Sequence, residues 1–171
     1  MTDIDTTLGV TARSHEPVSL YERVARFYTD YIHTVAGGDL KLWPDFFTDD
    51  CLYQATSREN YDQNLPLGLV QCEGRKMVED RAAAIVNTQV FQPRRVRYYL
   101  SGLRIASSEA TTIDARADFL VVQAMLNSTP AVVSFGEYLD EIVVCDGRLL
   151  FRKKICICDN DVVTTSLVYP L

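Results

Sequence analysis

Apolar residues recur at two different spacings along this chain, and the change from one to the other divides it. Ser19, with Glu22 three residues on, makes a capping box ahead of a helical pattern. Leu20, Val24, Phe27, Tyr28, Tyr31 and Val35 then recur every three or four residues, which predicts a helix with one apolar stripe ended by Gly37-Gly38. Leu40, Trp43, Phe46 and Phe47 fit a compact helical turn or two, with Pro44 early in the second half. Residues 51–56 and 69–73 read as short strands, and the stretch 57–68 between them reads as a loop. A second helix is expected over residues 75–89, with Val78, Ala82, Ile85 and Gln89 on one face.

The period then shortens to two. Residues 94–106 are rich in Tyr, Val, Leu and Ile, and from Thr112 the alternation is strict. Ile113, Ala115, Ala117, Phe119 and Val121 face one way, while Thr112, Asp114, Arg116 and Asp118 face the other. Residues 131–145 and 148–158 are two further strands joined by Asp146-Gly147, a two-residue hairpin signal. Gly102 and Gly136 interrupt strand patterns, where a bulge or bend is expected. Helices first and a long meander afterwards predict an α+β fold, a curved antiparallel sheet wrapped around N-terminal helices as a half-open cone. Residues 1–17 read as a flexible arm and residues 18–171 as one such domain.

Composition narrows the function more than the fold. A net charge of -6 argues against nucleic acid or an anionic membrane surface as the main partner, and Arg94, Arg95 and Arg97 are a local cluster without a wider basic stripe. No apolar run approaches signal-peptide or membrane-span length, so a cytoplasmic location is expected. The five cysteines are odd in number and scattered through apolar stretches, as reduced, buried thiols would be.

A cone has a pocket, so the chain must be weighed as a stand-alone isomerase or dehydratase. Such chemistry needs an acid or imidazole base and a Tyr donor, and the candidates are Tyr28 or Tyr31 with Asp39 or His33, and Asp118 on a polar strand face. Metal chemistry has less to draw on: the only histidines are His15 and His33. Cys156 and Cys158 lie at strand spacing, with Cys145 across the hairpin able to approach the Cys158 end, but no histidine joins them. The two thiols are expected to fill one strand face as small hydrophobes, opposite Leu149, Phe151, Ile155 and Ile157. No catalytic, metal or cofactor residue is therefore assigned.

From residue 19 onward the order of segments resembles the small (beta) subunits of bacterial aromatic-ring-hydroxylating, Rieske-type oxygenases. The resemblance rests on YTDYIHTVAGGDLKLWPDFFTDDCLYQA, EGRKMVEDRAAAIV, PRRVRYYLSGLRI and the closing VSFGEYLDEIVVCDGRLLFRKKICICDNDVVTTSLVYPL. It departs at Tyr98 or Tyr99, where the family often has His. PLGLVQCEG and FGEYLDEIV look most like small subunits of systems acting on carboxylated rings, such as salicylate 5-hydroxylase or terephthalate dioxygenase. The resemblance implies the cystatin-like cone of nuclear transport factor 2, ketosteroid isomerase and scytalone dehydratase, without the catalysis of the last two. It also implies a large (alpha) subunit holding a Rieske [2Fe–2S] cluster and mononuclear iron, electrons from NAD(P)H through separate reductase components, and a three-plus-three heterohexamer with contacts between small subunits. Interface residues are then expected at Arg94, Arg95 and Arg97, pairing with large-subunit carboxylates, and at Leu167, Val168, Tyr169 and Leu171. The alternative for the tail is that it folds back over the chain's own core.

Overall fold

The computed structural model describes residues 18–37, 39–87, 94–109, 111–160 and 167–171; the expected arm lies outside them. Helix α1 (Leu20–Gly37) starts as the capping box requires. The Ser19 amide and hydroxyl both donate to Glu22, and the Glu22 amide donates back to Ser19 Oγ. A 3₁₀ segment (Leu40–Phe46) leads into β1 (Phe47–Ser57), α2 (Arg58–Asp62), β2 (Val70–Glu73) and α3 (Arg75–Asn87). Four long strands follow: β3 (Arg94–Glu109), β4 (Thr112–Met125), β5 (Ala131–Cys145) and β6 (Arg148–Cys158).

Among the described residues six strands form one sheet in the order β2-β1-β6-β5-β4-β3. Neighbouring long strands pair antiparallel, but β1 pairs β6 in parallel, from Leu52 opposite Lys153 to Ser57 opposite Cys158. The expected antiparallel sheet is therefore mixed. A parallel neighbour needs a long crossover, here everything from α2 to β5, and no local signal announces such a pairing. The stretch expected as a loop holds α2, which Ser57 caps by accepting from the Asn60 amide.

The helices lie over one face of the sheet. Val24, Tyr28, Tyr31 and Val35 from α1 and Val78, Ala82 and Ile85 from α3 join Ile113, Ala115, Ala117, Phe119 and Val121 of β4 in a single core. The glycine expectations divide. Gly102, with φ of +60°, sits in a register shift between Ser101 and Arg104, as a bulge requires. Gly136 pairs regularly with Cys158, and its role is close approach: a Cβ there would fall 1.8 Å from the Ile157 carbonyl oxygen. Gly136→Ala is expected to cost about 1–3 kcal/mol by forcing β5 from β6, checked by urea denaturation followed through the single tryptophan. Loss of less than a few tenths of a kcal/mol would count against the contact.

One further register shift, between Glu141 and Ile142 of β5, re-aims β6. Ile142 faces Phe151, but Glu141 faces Lys153, so residue 152 is the extra one. Without this bulge Phe151 would share a face with Ile155 and Ile157. With it, Phe151 joins Lys154, Cys156 and Cys158 on the core face, which corrects the expected partition of this strand. Cys145 pairs with Arg148 while Cys158 pairs with Gly136, so these two cysteines lie at opposite ends of the hairpin rather than near each other.

Candidate functional site

The interior of the cone is where chemistry would occur. At its centre Tyr28 from α1 donates to Asp140 Oδ2 at 2.5 Å, and Lys154 Nζ donates to the same oxygen at 3.1 Å. Both side chains of the Asp140–Lys154 pair are 0% exposed. The ammonium also sits 3.4 Å from the centre of the Tyr138 ring and within 5.4 Å of the rings of Tyr31, Phe151 and Tyr28. This aromatic cage replaces part of the lost hydration of the cation. Burial raises the Asp140 carboxyl above its ordinary range, and Lys154 and Tyr28 pull it back. Asp140 Oδ1 and the Tyr138 hydroxyl are buried without a hydrogen-bond partner among the described residues.

The chain's own tail enters the same interior. Leu171 is 1% exposed. Its main-chain oxygen accepts from the Tyr31 hydroxyl at 2.7 Å and from the Cys156 thiol at 3.6 Å, and its amide donates to the Tyr53 hydroxyl at 2.9 Å. Tyr98 donates to the Pro170 carbonyl at 2.6 Å, and Arg81 donates to that of Leu167 at 3.1 Å. Trp43 Nε1 donates to the Tyr31 hydroxyl from behind. The space left beside the tail, lined by Tyr98, Val121 and Leu171 among others, is about 20 Å³. That is room for about one water and no substrate.

The residues weighed for stand-alone catalysis scatter. Tyr28 and Tyr31 are in the interior, but His33, Asp39 and Asp118 are exposed. The carboxylate that Tyr28 meets is Asp140, which the sequence reading did not single out. A signal existed: Asp140 occupies an alternating position between Tyr138 and Ile142, where an apolar residue is due. Among the described residues no three or more His, Cys, Asp and Glu side chains are placed together to hold a metal ion. Burial raises the Cys156 and Cys158 thiols, and the Cys51 thiol to about 11, opposite to the lowering that metal-binding or reactive thiols need.

Buried phenols make the interior sensitive to base. Tyr28, Tyr31, Tyr53, Tyr98 and Tyr138 are all raised, chiefly by burial. In the unfolded chain they ionise near pH 10, whereas in the fold they keep their protons beyond it. Their contribution is therefore complete below pH 10 and falls as the pH climbs through the window above it, by up to about 1.4 kcal/mol per pH unit for each phenol. Ultraviolet phenolate absorbance is expected to show five of the nine tyrosines ionising only in one cooperative step with unfolding. Gradual ionisation of these five in the folded chain would contradict their burial.

The residues expected at an interface fall in three places. Arg94 shares the inward parity of Val96 and Tyr98, is half-buried and donates to Gln123 Oε1 at 3.1 Å. Arg95 and Arg97 point out from the opposite face of β3, so the pleat splits the cluster. Leu167, Val168 and Tyr169 are half-buried against the core, and Leu171 lies within it.

The SnoaL-like domain family matches residues 16–154. The beta 2 subunit of the terminal oxygenase component of terephthalate 1,2-dioxygenase from Comamonas sp. is 33% identical over 149 residues, 87% of this chain and 97% of that protein. The anthranilate 1,2-dioxygenase small subunit of Burkholderia cepacia is 32% identical over 141 residues, 82% and 88% of the two chains. Among solved structures, a beta subunit assigned to an aromatic-ring-hydroxylating dioxygenase of Novosphingobium aromaticivorans superposes with a TM-score of 0.81 at 26% identity, covering 88% of this chain and 96% of that one. With this cone, its filled interior and these relatives, the chain belongs to the SnoaL-like domain family and, within it, to the small (beta) subunits of aromatic-ring-hydroxylating dioxygenases.

Proposed function

We propose that this chain is the structural small subunit of a Rieske-type oxygenase acting on an aromatic, carboxylated ring, and that it promotes assembly with an iron-bearing large subunit. The observation that carries this reading is the occupied interior. Pro170 and Leu171 take the place a substrate would need, and the hydroxyls around it are committed to their main-chain atoms. The carboxylated ring is supported by the terephthalate and anthranilate oxygenases to which the relatives belong. In this reading the Rieske cluster, the mononuclear iron and the oxygen chemistry belong to the large subunit, fed from NAD(P)H through reductase components, in a cytoplasmic three-plus-three assembly. Contacts within it fall on Arg95 and Arg97 and on the outward parts of Leu167, Val168 and Tyr169. Such charged contacts fix register more than affinity.

The test is a tagged pull-down from the native host, followed by native mass and iron content. A larger, iron-containing chain recovered in a one-to-one ratio is expected. Recovery of this chain alone and free of iron would overturn the reading. A second reading, a cone isomerase, has the Tyr28–Asp140–Lys154 cluster in its favour. It requires the tail to leave, and turnover by the purified chain alone would establish it.

A further inference from the structure

Three arginines open onto one groove on the outside of the cone, beside the β5–β6 turn. The groove measures about 600 Å³ and lies where the first half of α1, the end of the 3₁₀ segment and the start of β6 meet. Its floor is apolar, built from Phe27 of α1, Phe46 of the 3₁₀ segment and Leu149 of β6. The rings of Phe27 and Phe46 lie 5.8 Å apart, and the Phe151 ring stands 4.6 Å from that of Phe27. Phe27 and Phe151 both belong to the core, so the floor is anchored from beneath.

The rim is basic. Arg23 and Arg26 are three residues apart on α1 and so are neighbours on its surface, and Arg148 is the first residue of β6. Arg23 Nη2 donates to the Gly147 carbonyl at 3.4 Å, which ties the helix to the turn just before Arg148. Arg26 and Arg148 are exposed and form no ion pair among the described residues. Glu22, one turn before Arg26, is already engaged by the Ser19 amide and hydroxyl. Among the described residues Asp30 is the one carboxylate in the lining. Three positive charges therefore meet one negative charge, a surplus of two, on a chain whose net charge is -6. Such a reversal of sign draws an anion to the groove and repays the mutual repulsion of the arginines once it is bound.

We infer that this groove binds an aromatic carboxylic acid, with the ring laid on Phe27, Phe46 and Leu149 and the carboxylate held by Arg26 and Arg148. Each half of the site asks for one half of the ligand. A guanidinium matches a carboxylate with two parallel N–H···O bonds, and the aromatic floor takes the flat face of a ring. A neutral aromatic compound would leave the arginines unanswered, and an inorganic anion would leave the floor in water. The volume lies within the roughly 300–1,000 Å³ of small-molecule sites and admits one or two rings. Such a site deepens the oxygenase reading, because it gives the small chain its own hold on the class of compound that the assembly acts on in that reading.

Photolabelling of the assembled complex with 4-azidobenzoate tests this, with the tryptic peptides of this chain mapped by mass spectrometry. Label is expected around Phe27, Phe46 and Leu149. Excess benzoate should protect these peptides, and excess sulfate should not. The neutral ester, methyl 4-azidobenzoate, should label them at least tenfold less. Arg26→Gln combined with Arg148→Gln should lower labelling by the acid at least tenfold with the circular dichroism spectrum unchanged, since both side chains are exposed. Equal labelling by acid and ester would reduce the groove to an apolar patch and overturn the inference, as would labelling that survives in the double variant. Protection by an acidic, phenylalanine-containing peptide at concentrations where benzoate gives none would overturn it in favour of a docked protein segment. No label on this chain, in a complex that does contain the large, iron-bearing chain, would overturn the site and leave the oxygenase reading standing. Label in the groove of a preparation without any large chain would support the site and count against the oxygenase reading alone.

Discussion

Lys154→Ala is expected to cost about 3–5 kcal/mol, a large share of a typical domain's whole stability. Lys154 is fully buried, and its ammonium is neutralised by Asp140 and surrounded by the rings of Tyr138, Tyr31 and Phe151. Removing it leaves a carboxylate in the core whose remaining hydrogen bond comes from Tyr28. The pair itself need not be stabilising, because desolvating two charges costs much of what their attraction returns. Breaking it is what is costly, so a Lys154→Met, Asp140→Leu double variant should recover most of the loss. The pH dependence has a definite sign. Asp140 is raised in the fold and rises further without Lys154, so its contribution is present below the unfolded carboxylate range and lost as the pH rises above it. The deficit of Lys154→Ala should therefore shrink on going from neutral pH toward pH ~4. Urea denaturation at the two pH values measures this, and a deficit under 1 kcal/mol at neutral pH would show that the pair is not buried as described.

Leu171→Ala is expected to cost about 2–4 kcal/mol, as large-to-small changes in tight cores do. The side chain fills the cone while its main chain is held by Tyr31 and Tyr53, so the variant keeps the hydrogen bonds and loses the packing. Deleting Pro170 and Leu171 together should cost more, because it also strips Tyr31, Tyr53 and Tyr98 of buried partners, at about 1–3 kcal/mol for each group left unsatisfied. The deletion should open an aromatic chamber able to take up a solvatochromic dye that the intact chain ignores. Thermal denaturation and dye fluorescence read the two effects. A truncated chain with unchanged melting and no dye uptake would mean that the tail does not plug the cone.

Most elements could be read from the sequence because local chemistry specifies them. The Ser19–Glu22 box, the stripe from Val24 to Val35, the alternation from Ile113 to Val121 and the Asp146-Gly147 turn each act over a few residues. The parallel pairing of β1 with β6 joins residues about a hundred positions apart and has no local marker. The central site was hidden for a related reason. Extending the hairpin register from its turn would place Lys154 opposite Leu139, on the outside. The one-residue bulge beside Glu141 moves it opposite Asp140, and only then do the two charges meet in the core. A one-residue slip exchanges the two faces of a strand, and the bulge makes that exchange for the inner half of β6 alone.

The parallel neighbour also sets when this chain can fold. β1 ends at Ser57 and cannot complete its place in the sheet until β6, ending at Cys158, has been synthesised. The apolar faces of α1, β1 and α3 thus wait exposed while most of the polypeptide emerges from the ribosome, a delay of several seconds at ordinary rates of synthesis. Closing so long a loop slows the search for the native pairing further. Pro170 and Leu171, which seal the interior, are made later still than β6. A stalled or prematurely ended translation product should consequently be a client for chaperones and proteases rather than a partly working subunit.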